Sequence, residues 1–186
     1  MEHYHIIKTR QMTKKIIAFG ASSSKNSINK KLATYTSQFF ENASVEVLDL
    51  KDYEMPVFSV DKEKEGFPDE AHNFLKQIGT ADLLVISMAE HNANYTAAFK
   101  NILDWTSRIN VKVFQGKKMF LMATSPGARG GKSVLEIAEG RFPKHDAQIV
   151  GTFSLPSFNE NFDDKKGITD ENLKKELLNI IKSIDF

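Results

Sequence analysis

Apolar positions along the chain follow two different spacings. Short continuous apolar runs predict strands at Lys15–Phe19, Val45–Leu50, Leu83–Met88, Lys118–Thr124 and Ala147–Phe153. Apolar residues three and four positions apart predict helices at Asn29–Phe40, Pro68–Ile78, Tyr95–Ile109, Ser133–Arg141 and Asp170–Ile184. Strands that alternate with helices in this way predict an α/β domain, with a parallel sheet covered by helices on both faces.

The final predicted helix covers the core and carries no chemistry. Its apolar stripe consists of Leu173, Leu177, Ile180, Ile181 and Ile184. Thr169 is the predicted N-cap, followed by Asp170 and Glu171 in the first turn. The charged segment Asp61–Gly66 and the segment Ser157–Gly167 are predicted to be solvated loops.

Composition narrows the class of protein. A chain of 186 residues, 41% of them hydrophobic, suffices for one domain with a substantial core. The net charge of +1 argues against nucleic acid or an anionic membrane as the main partner. The chain has no cysteine, which excludes thiol catalysis, disulfides and thiolate metal sites and is compatible with the cytoplasm. We expect no metal site. We also expect no membrane span, because no apolar run approaches the ~18–20 residues that a spanning helix needs.

The first residues lack the apolar region and cleavage site of a secretory signal. We therefore interpret residues 1–13 as a disordered N-terminal extension and residues 14–186 as the folded domain.

A hydroxyl-rich loop, Gly20–Asn29, links the first strand to the first helix. Free backbone N–H groups, hydroxyl donors and the positive end of a helix dipole suit a phosphate there. No acidic residue occurs from Lys14 through Phe40, although five lysines do. Lysines near a helix start oppose its dipole, so a docked anion would explain them. An ordinary capped helix with a solvated lysine face explains the loop alone equally well.

Two further loops follow the carboxyl ends of predicted strands, where open α/β sheets bind their ligands. They are Ala89–Asn94 and Thr124–Gly131. The second ends in Gly130-Gly131-Lys132-Ser133, but Pro126 occupies the place of the first glycine of a P-loop. Hydrolysis of a nucleoside triphosphate is therefore not expected.

Sequence motifs in these loops resemble those of the NAD(P)H-dependent FMN reductase family. The resemblance rests on Glu90-His91-Asn92 and on the helix segment Phe99-Lys100-Asn101-Ile102-Leu103-Asp104-Trp105. Ser22, Ser27 and Asn29 match the phosphate motif of that family. The chain departs from the family pattern at Ser24, where Arg is usual, and at Ala89 and His91, where Pro and Tyr are usual.

The resemblance implies a flavodoxin-like, doubly wound, five-stranded parallel sheet of order 2-1-3-4-5 that binds FMN. The implied FMN contacts are Ser22, Ser24, Ser27, Ile28, Asn29, Ala89, Glu90, His91, Asn92, Ala93, Ser125, Pro126, Gly127, Gly130 and Gly131. Ser22, Ser24, Ser27 and Asn29 would hold the phosphate, and the two later loops would border the ring. Glu90 would contact the flavin, or would instead orient its own loop by accepting backbone N–H bonds. His91 would contact the flavin or be a half-exposed loop residue.

The helix motif Lys100–Trp105 is expected to serve packing and an interface. Asp104 and Trp105 are the residues expected to face a partner subunit. The apolar loop Met55–Phe58 would either cover the substrate or anchor to the core.

The implied activity is hydride transfer from NADH or NADPH through bound FMN to a small acceptor, such as free flavin, a quinone or an azo compound. A ping-pong mechanism with no catalytic side chain, in a homodimer or homotetramer, is expected. The alternatives are a flavodoxin-type electron carrier and a flavin-binding regulatory protein without turnover. Carriers tend to be strongly acidic, whereas this chain has no acidic residue from Trp105 through Ser133.

Overall fold

A computed structural model of the protein describes residues 13–186. The expected N-terminal extension, apart from Thr13, lies outside the described residues. The main sheet consists of β1 (Lys14–Gly20), β2 (Ala43–Val47), β3 (Leu83–Met88), β6 (Lys118–Thr124) and β7 (Gln148–Leu155). Its order is β2-β1-β3-β6-β7 and every pairing is parallel, which confirms the predicted flavodoxin-like order. Two short hairpins pair β4 (Glu90–His91) with β5 (Asn94–Tyr95), and β8 (Phe162–Asp163) with β9 (Gly167–Ile168).

The five predicted helices are confirmed, and two short helices lie in segments predicted to be loops. The helices are α1 (Ile28–Ser37), α2 (Val60–Glu65), α3 (Asp69–Gly79), α4 (Ala97–Ile109), α5 (Lys132–Arg141), α6 (Phe158–Asn161) and α7 (Glu171–Ser183). The unpredicted ones are α2 and α6. In α2, Ser59 accepts a hydrogen bond from the Lys62 N–H, with acidic residues in the first turn and lysines in the last. These charges complement the helix dipole without any apolar periodicity.

Several predicted boundaries differ from the structure, and at two of them a carboxylate caps the element that follows. The prediction that β2 ends at Leu50 is wrong, because Asp49 caps a 3₁₀ turn that begins there. The prediction that α1 reaches Phe40 is also wrong, since the helix ends at Ser37. The predicted cap of α7, Thr169, is wrong because the carboxylate of Asp170 accepts the first free N–H groups instead. The Asp170 carboxylate is charged and is therefore a stronger hydrogen-bond acceptor than the Thr169 hydroxyl.

Helices cover both faces of the sheet, as predicted. Strand β3 is buried along its whole length, and its alternate residues face the two cores. Helices α3, α4 and α5 pack on one face, and α1 and α7 pack on the other. In α7, Leu177 and Ile181 are buried and the rest of the predicted stripe is partly buried. Among residues 13–186, no helix has both the length and the apolar character needed to cross a bilayer.

The end of β1 lies directly against the first turn of α1. A Cβ added at Gly20 would be 2.6 Å from the Asn29 carbonyl carbon and would also overlap the Lys30 nitrogen. Both obstructing atoms belong to the backbone, so no side-chain movement relieves the overlap. This contact brings the start of α1 onto the carboxyl end of the sheet.

Replacing Gly20 by Ala is expected to lower the free energy of unfolding by about 1–3 kcal/mol, because the helix must move away. The matched control is Gly140→Ala in α5, where an added Cβ meets nothing within 4 Å. That change should raise stability by about 0.5–1 kcal/mol. Urea unfolding of both variants measures the difference. Equal stability of the Gly20→Ala variant and the wild type would contradict the close approach.

Candidate functional site

Three loops converge on a cleft at the carboxyl ends of β1, β3 and β6, as predicted. Its volume is about 180 Å³. The cleft is lined by Ser22, Ser24, Asn26, Ser27, Ile28, Asn29, Ala89, Glu90, His91, Thr124, Ser125 and Pro126. Two of these residues, Asn26 and Thr124, were not predicted. Asn92, Ala93, Gly127, Gly130 and Gly131 were predicted and lie outside this lining.

The side chain of Asn29 connects α1 to two strand ends. Its Oδ1 accepts hydrogen bonds from Ser87 Oγ at 2.7 Å and from the Thr124 N–H at 3.1 Å, while its Nδ2 donates to the Thr124 carbonyl. The side chain is 3% exposed. Because its bonds are made inside the protein, the amide serves to position α1. The expectation that this amide reaches a ligand phosphate stays a prediction, and the backbone N–H is the better placed donor.

The N-terminus of α1 presents backbone donors to the cleft. Ser27 caps the helix by accepting from the Lys30 N–H at 3.1 Å, and its carbonyl accepts from Lys31. Ile28 and Asn29 hold the first two helical positions, where no intrahelical acceptor exists for an N–H group. No acidic residue lies in this first turn. The turn therefore favours a bound anion through its dipole and its free donors.

The remaining serines of the first loop differ in exposure. Ser22 is buried, and its Oγ accepts from the Ser24 N–H at 3.1 Å, which holds the loop in a tight turn. Ser24 is exposed and lines the cleft. Ser24 is thus the serine of this loop best suited to contact a ligand.

The loop after β3 is a tight hairpin. Asn92 and Ala93 form its two-residue turn with φ angles of 52° and 58°, and both are exposed. Ala89 and His91 line the cleft, and His91 is exposed.

Burial raises the pKa of Tyr95 to about 12, although Arg141 opposes this shift, so the hydroxyl at the far end of the hairpin stays protonated.

Glu90 caps a helix across the cleft. Its Oε2 accepts the Val134 N–H of α5 at 2.9 Å. Helix α5 begins after Gly131 without a side-chain cap of its own and has no acidic residue in its first turn. Of the two interpretations of Glu90, this bond favours the one in which the carboxylate orients its own loop by accepting a backbone N–H, and the donor belongs to α5. The carboxylate thereby joins two walls of the cleft.

The third loop is fixed from behind by the segment after β7. The Gly127 carbonyl accepts from the Ser157 N–H at 3.0 Å, and the Ser125 carbonyl accepts from the Phe158 N–H at 3.0 Å. Gly130 is buried at φ +60°, and an added Cβ would lie 2.5 Å from Ser154 Oγ. Position 130 must be glycine because a side chain there would overlap β7. Direct contact of Gly130 and Gly131 with a flat ligand stays a prediction.

The helix motif Lys100–Trp105 anchors the loop Met55–Phe58. Asn101 Nδ2 donates to the Met55 and Pro56 carbonyls, and its Oδ1 accepts the Phe58 N–H. Trp105 is 1% exposed and its Nε1 donates to the Pro56 carbonyl at 2.8 Å. The expectation that Trp105 faces a partner subunit is therefore wrong. Of the two interpretations of the loop, anchoring to the core is the one these contacts favour.

Taken together, the cleft combines anion donors with a slot between two walls. The donors are at the α1 N-terminus, and the walls are the hairpin after β3 and the loop that follows β6. Such an arrangement fits a ligand with a phosphate at one end and a flat ring at the other. FMN meets both conditions, because its phosphate would occupy the α1 turn while its ring would enter the slot.

Comparisons with known proteins agree with this geometry. The family model for NADPH-dependent FMN reductase matches residues 14–161. A 2-hydroxy-1,4-benzoquinone reductase from Burkholderia sp. is 35% identical over 121 residues, which are 64% of each chain. An uncharacterised protein of Mycoplasma pneumoniae is 29% identical over 86% of this chain and 97% of its own.

A solved structure supports the fold. The flavoenzyme NAD(P)H:(acceptor) oxidoreductase FerB from Paracoccus denitrificans superposes with a TM-score of 0.72, at 22% identity, over 91% of this chain and 94% of its own. The family match covers all three loops of the cleft and all five strands of the main sheet. The chain belongs to the NADPH-dependent FMN reductase family, and it is an oxidoreductase that uses FMN with NAD(P)H as the electron donor.

Proposed function

We propose that the strand-end cleft holds FMN and that the chain passes electrons from NAD(P)H to a small planar acceptor. The observation that carries the proposal is the convergence of the α1 N-terminus with two further strand-end loops on one cleft. When bound, FMN supplies hydride acceptance at its ring and delivery of electrons to the acceptor. The chain supplies the binding and orientation described below.

The α1 turn would hold the phosphate. The Ile28 and Asn29 N–H groups and the Ser24 hydroxyl are the proposed donors. Ser22 and Ser27 keep the loop in shape through their bonds to backbone N–H groups. Where the family has Arg, Ser24 offers a hydroxyl, so binding here depends more on the backbone donors.

The two walls would orient the ring. Ala89 leaves room beside it, and His91 and Pro126 border it on opposite sides of the slot. Glu90 keeps the slot width constant, because its carboxylate ties the hairpin to α5. Gly127 is exposed at the loop tip, and an added Cβ there meets only Ser125 Oγ at 3.9 Å. Donor and acceptor would take turns on the open, solvent side of the cleft, where Ser24, His91 and Pro126 are exposed.

A quinone is the acceptor class we favour. The Burkholderia relative, named for reduction of a benzoquinone, is 35% identical over a region that spans less than two thirds of its length. A small flat acceptor also fits an open slot better than a bulky one. The expected homodimer or homotetramer rests on the family resemblance and stays a prediction.

Steady-state rates with NADPH and a benzoquinone test the shared slot. Because both compounds need the same open side, double-reciprocal plots at several quinone concentrations should be parallel lines. Protein stripped of FMN, assayed in the same way, is the control and should be inactive until FMN is added. Intersecting lines would contradict alternation at one site. A bound flavin that neither nicotinamide reduces would favour the carrier or regulatory alternative.

Ser24 variants test the position of the phosphate. Replacing Ser24 by Ala should weaken FMN binding about tenfold to a hundredfold, because one hydrogen bond to a charged group is lost. Riboflavin lacks the phosphate and should bind the variant as it binds the wild type. Ser24→Arg should tighten FMN, since a guanidinium grips phosphate oxygens in pairs. Ser23→Ala in the same loop, outside the cleft lining, is the control. Equal losses for both flavins, measured by fluorescence titration, would place the phosphate elsewhere.

Glu90 variants separate a positioning role from a flavin contact. Glu90→Gln keeps an acceptor for the Val134 N–H and should bind FMN nearly as the wild type does. Glu90→Ala removes the cap of α5, which should cost about 0.5–2 kcal/mol of stability and weaken FMN. Thermal unfolding and flavin titration measure both effects. Equal losses of FMN affinity in the two variants, with unchanged stability, would instead indicate a direct flavin contact.

A further inference from the structure

A second cleft lies on the outer side of the first loop. It has a volume of about 430 Å³ and lies between α1 and the β8–β9 hairpin. Asn26 and Ser27 line both this cleft and the strand-end cleft, so the two are neighbours across one short ridge. We refer to the second cleft as the basic pocket. Its volume falls in the range of about 300–1,000 Å³ that is typical of small-molecule sites.

Two of the five lysines that line the basic pocket are occupied by carboxylates. Lys30 Nζ bonds Asp49 at 2.8 Å. Burial of Asp49 opposes its ionisation, but hydrogen bonds from Lys30 and the Lys51 N–H outweigh it and lower the pKa of Asp49. Lys31 Nζ bonds both carboxylate oxygens of Asp164, at 2.7 and 2.8 Å. These pairs fix the wall of the pocket.

Three ammonium groups remain for an anion. Lys25, Lys165 and Lys166 line the pocket and form no ion pair within residues 13–186. The nearby carboxylate of Asp163 accepts the backbone N–H groups of Lys165 and Lys166, both at 2.9 Å. Those two bonds hold the hairpin turn through the backbone, so neither ammonium group forms a hydrogen bond to Asp163, although the Lys166 charge attracts this carboxylate at longer range. Ammonium groups at the rim of a cavity are suited to a phosphate.

An aromatic wall completes the basic pocket. The ring of Tyr35 packs edge to face on the ring of Phe162, with centroids 5.5 Å apart, and both residues line the pocket. The ligand that fits has an apolar flat portion as well as negative charge. A phosphorylated nucleoside has both.

We propose that the basic pocket binds the phosphorylated adenosine end of the reduced pyridine nucleotide, and that it favours NADPH over NADH. The inference rests on the proposed function, because it places the nicotinamide end in the strand-end cleft. The rest of the dinucleotide would cross the ridge at Asn26 and Ser27. The 2′-phosphate of NADPH carries a charge of about −1.5 to −2 near neutral pH, whereas NADH has a neutral hydroxyl there.

The double variant Lys165→Gln/Lys166→Gln tests the pocket. Its matched control is Lys144→Gln/Lys182→Gln, which removes the same charge from exposed positions outside the pocket. Calorimetric titration of the FMN-loaded proteins with adenosine 2′,5′-bisphosphate is the readout that does not depend on activity. The test variant should bind this probe about tenfold more weakly than the wild type, and the control should bind as the wild type does.

Two further measurements complete the test. The affinity for FMN should be equal in the test variant and the wild type, and KM should rise for NADPH but not for NADH, with kcat unchanged. Rising salt should weaken the probe in the wild type. Wild-type protein that fails to bind the probe, or a test variant that binds it normally, would overturn the proposal.

Two other outcomes would also overturn it. An equal loss of FMN affinity would mean that the lysines serve the flavin phosphate, and an equal loss in the control would mean a general charge effect. Failure of the proposed function is distinguishable, because a flavin that NADPH does not reduce leaves binding of the adenosine bisphosphate measurable.

Discussion

The buried amide of Asn29 is the interaction on which the strand-end cleft depends. It joins the first turn of α1 to Ser87 at the end of β3 and to Thr124 at the end of β6. Without it, a hydroxyl and two backbone groups would be buried without partners, each at a cost of about 1–3 kcal/mol. Gly20 also helps to fix the position of α1, because only a residue without a Cβ lets the helix lie this close to β1. The helix start is therefore fixed relative to the sheet before any ligand binds.

In the first turn of α1, the Asn29 side chain and the backbone N–H groups have different roles. The Asn29 side chain faces the sheet, while its N–H and that of Ile28 remain at the helix start. Serine hydroxyls face the strand-end cleft, and lysines 25, 165 and 166 line the other side of the same ridge. The first loop thus carries neutral donors on one side and Lys25 on the other, and the β8–β9 hairpin adds Lys165 and Lys166. Under the two proposals, this short segment would border both the flavin phosphate and a second anion.

Local pattern in the sequence was enough to predict the sheet and its helices. Buried strands such as Leu83–Met88 are continuous apolar runs, and their order follows once the family resemblance is seen. The three loops of the cleft were also predictable, since each follows a strand. Short elements such as α2 were not, because their stability comes from a cap and from charges rather than from apolar periodicity.

The roles of individual side chains were harder to predict, because their partners are remote in sequence. The hydrogen-bond partners of Asn29, Glu90 and Trp105 lie 95, 44 and 49 positions away in the sequence, respectively. Asn29 was expected at a ligand, Trp105 at an interface, and Glu90 either at the flavin or as an acceptor that orients its own loop. In the structure each of the three side chains ties two elements together. A polar residue in a binding motif therefore either contacts the ligand or holds the residues that do, and only the fold distinguishes these roles.

The most direct measurement is the amide NMR spectrum of the FMN-free protein during titration with FMN and, separately, with riboflavin. The account predicts that the Ile28 and Asn29 backbone N–H signals shift strongly with FMN and little with riboflavin, because only FMN brings a phosphate to the α1 turn. The side-chain amide signals of Asn29 should stay in place throughout. Backbone signals that respond equally to both flavins, or an Asn29 side chain that moves with the phosphate, would contradict it.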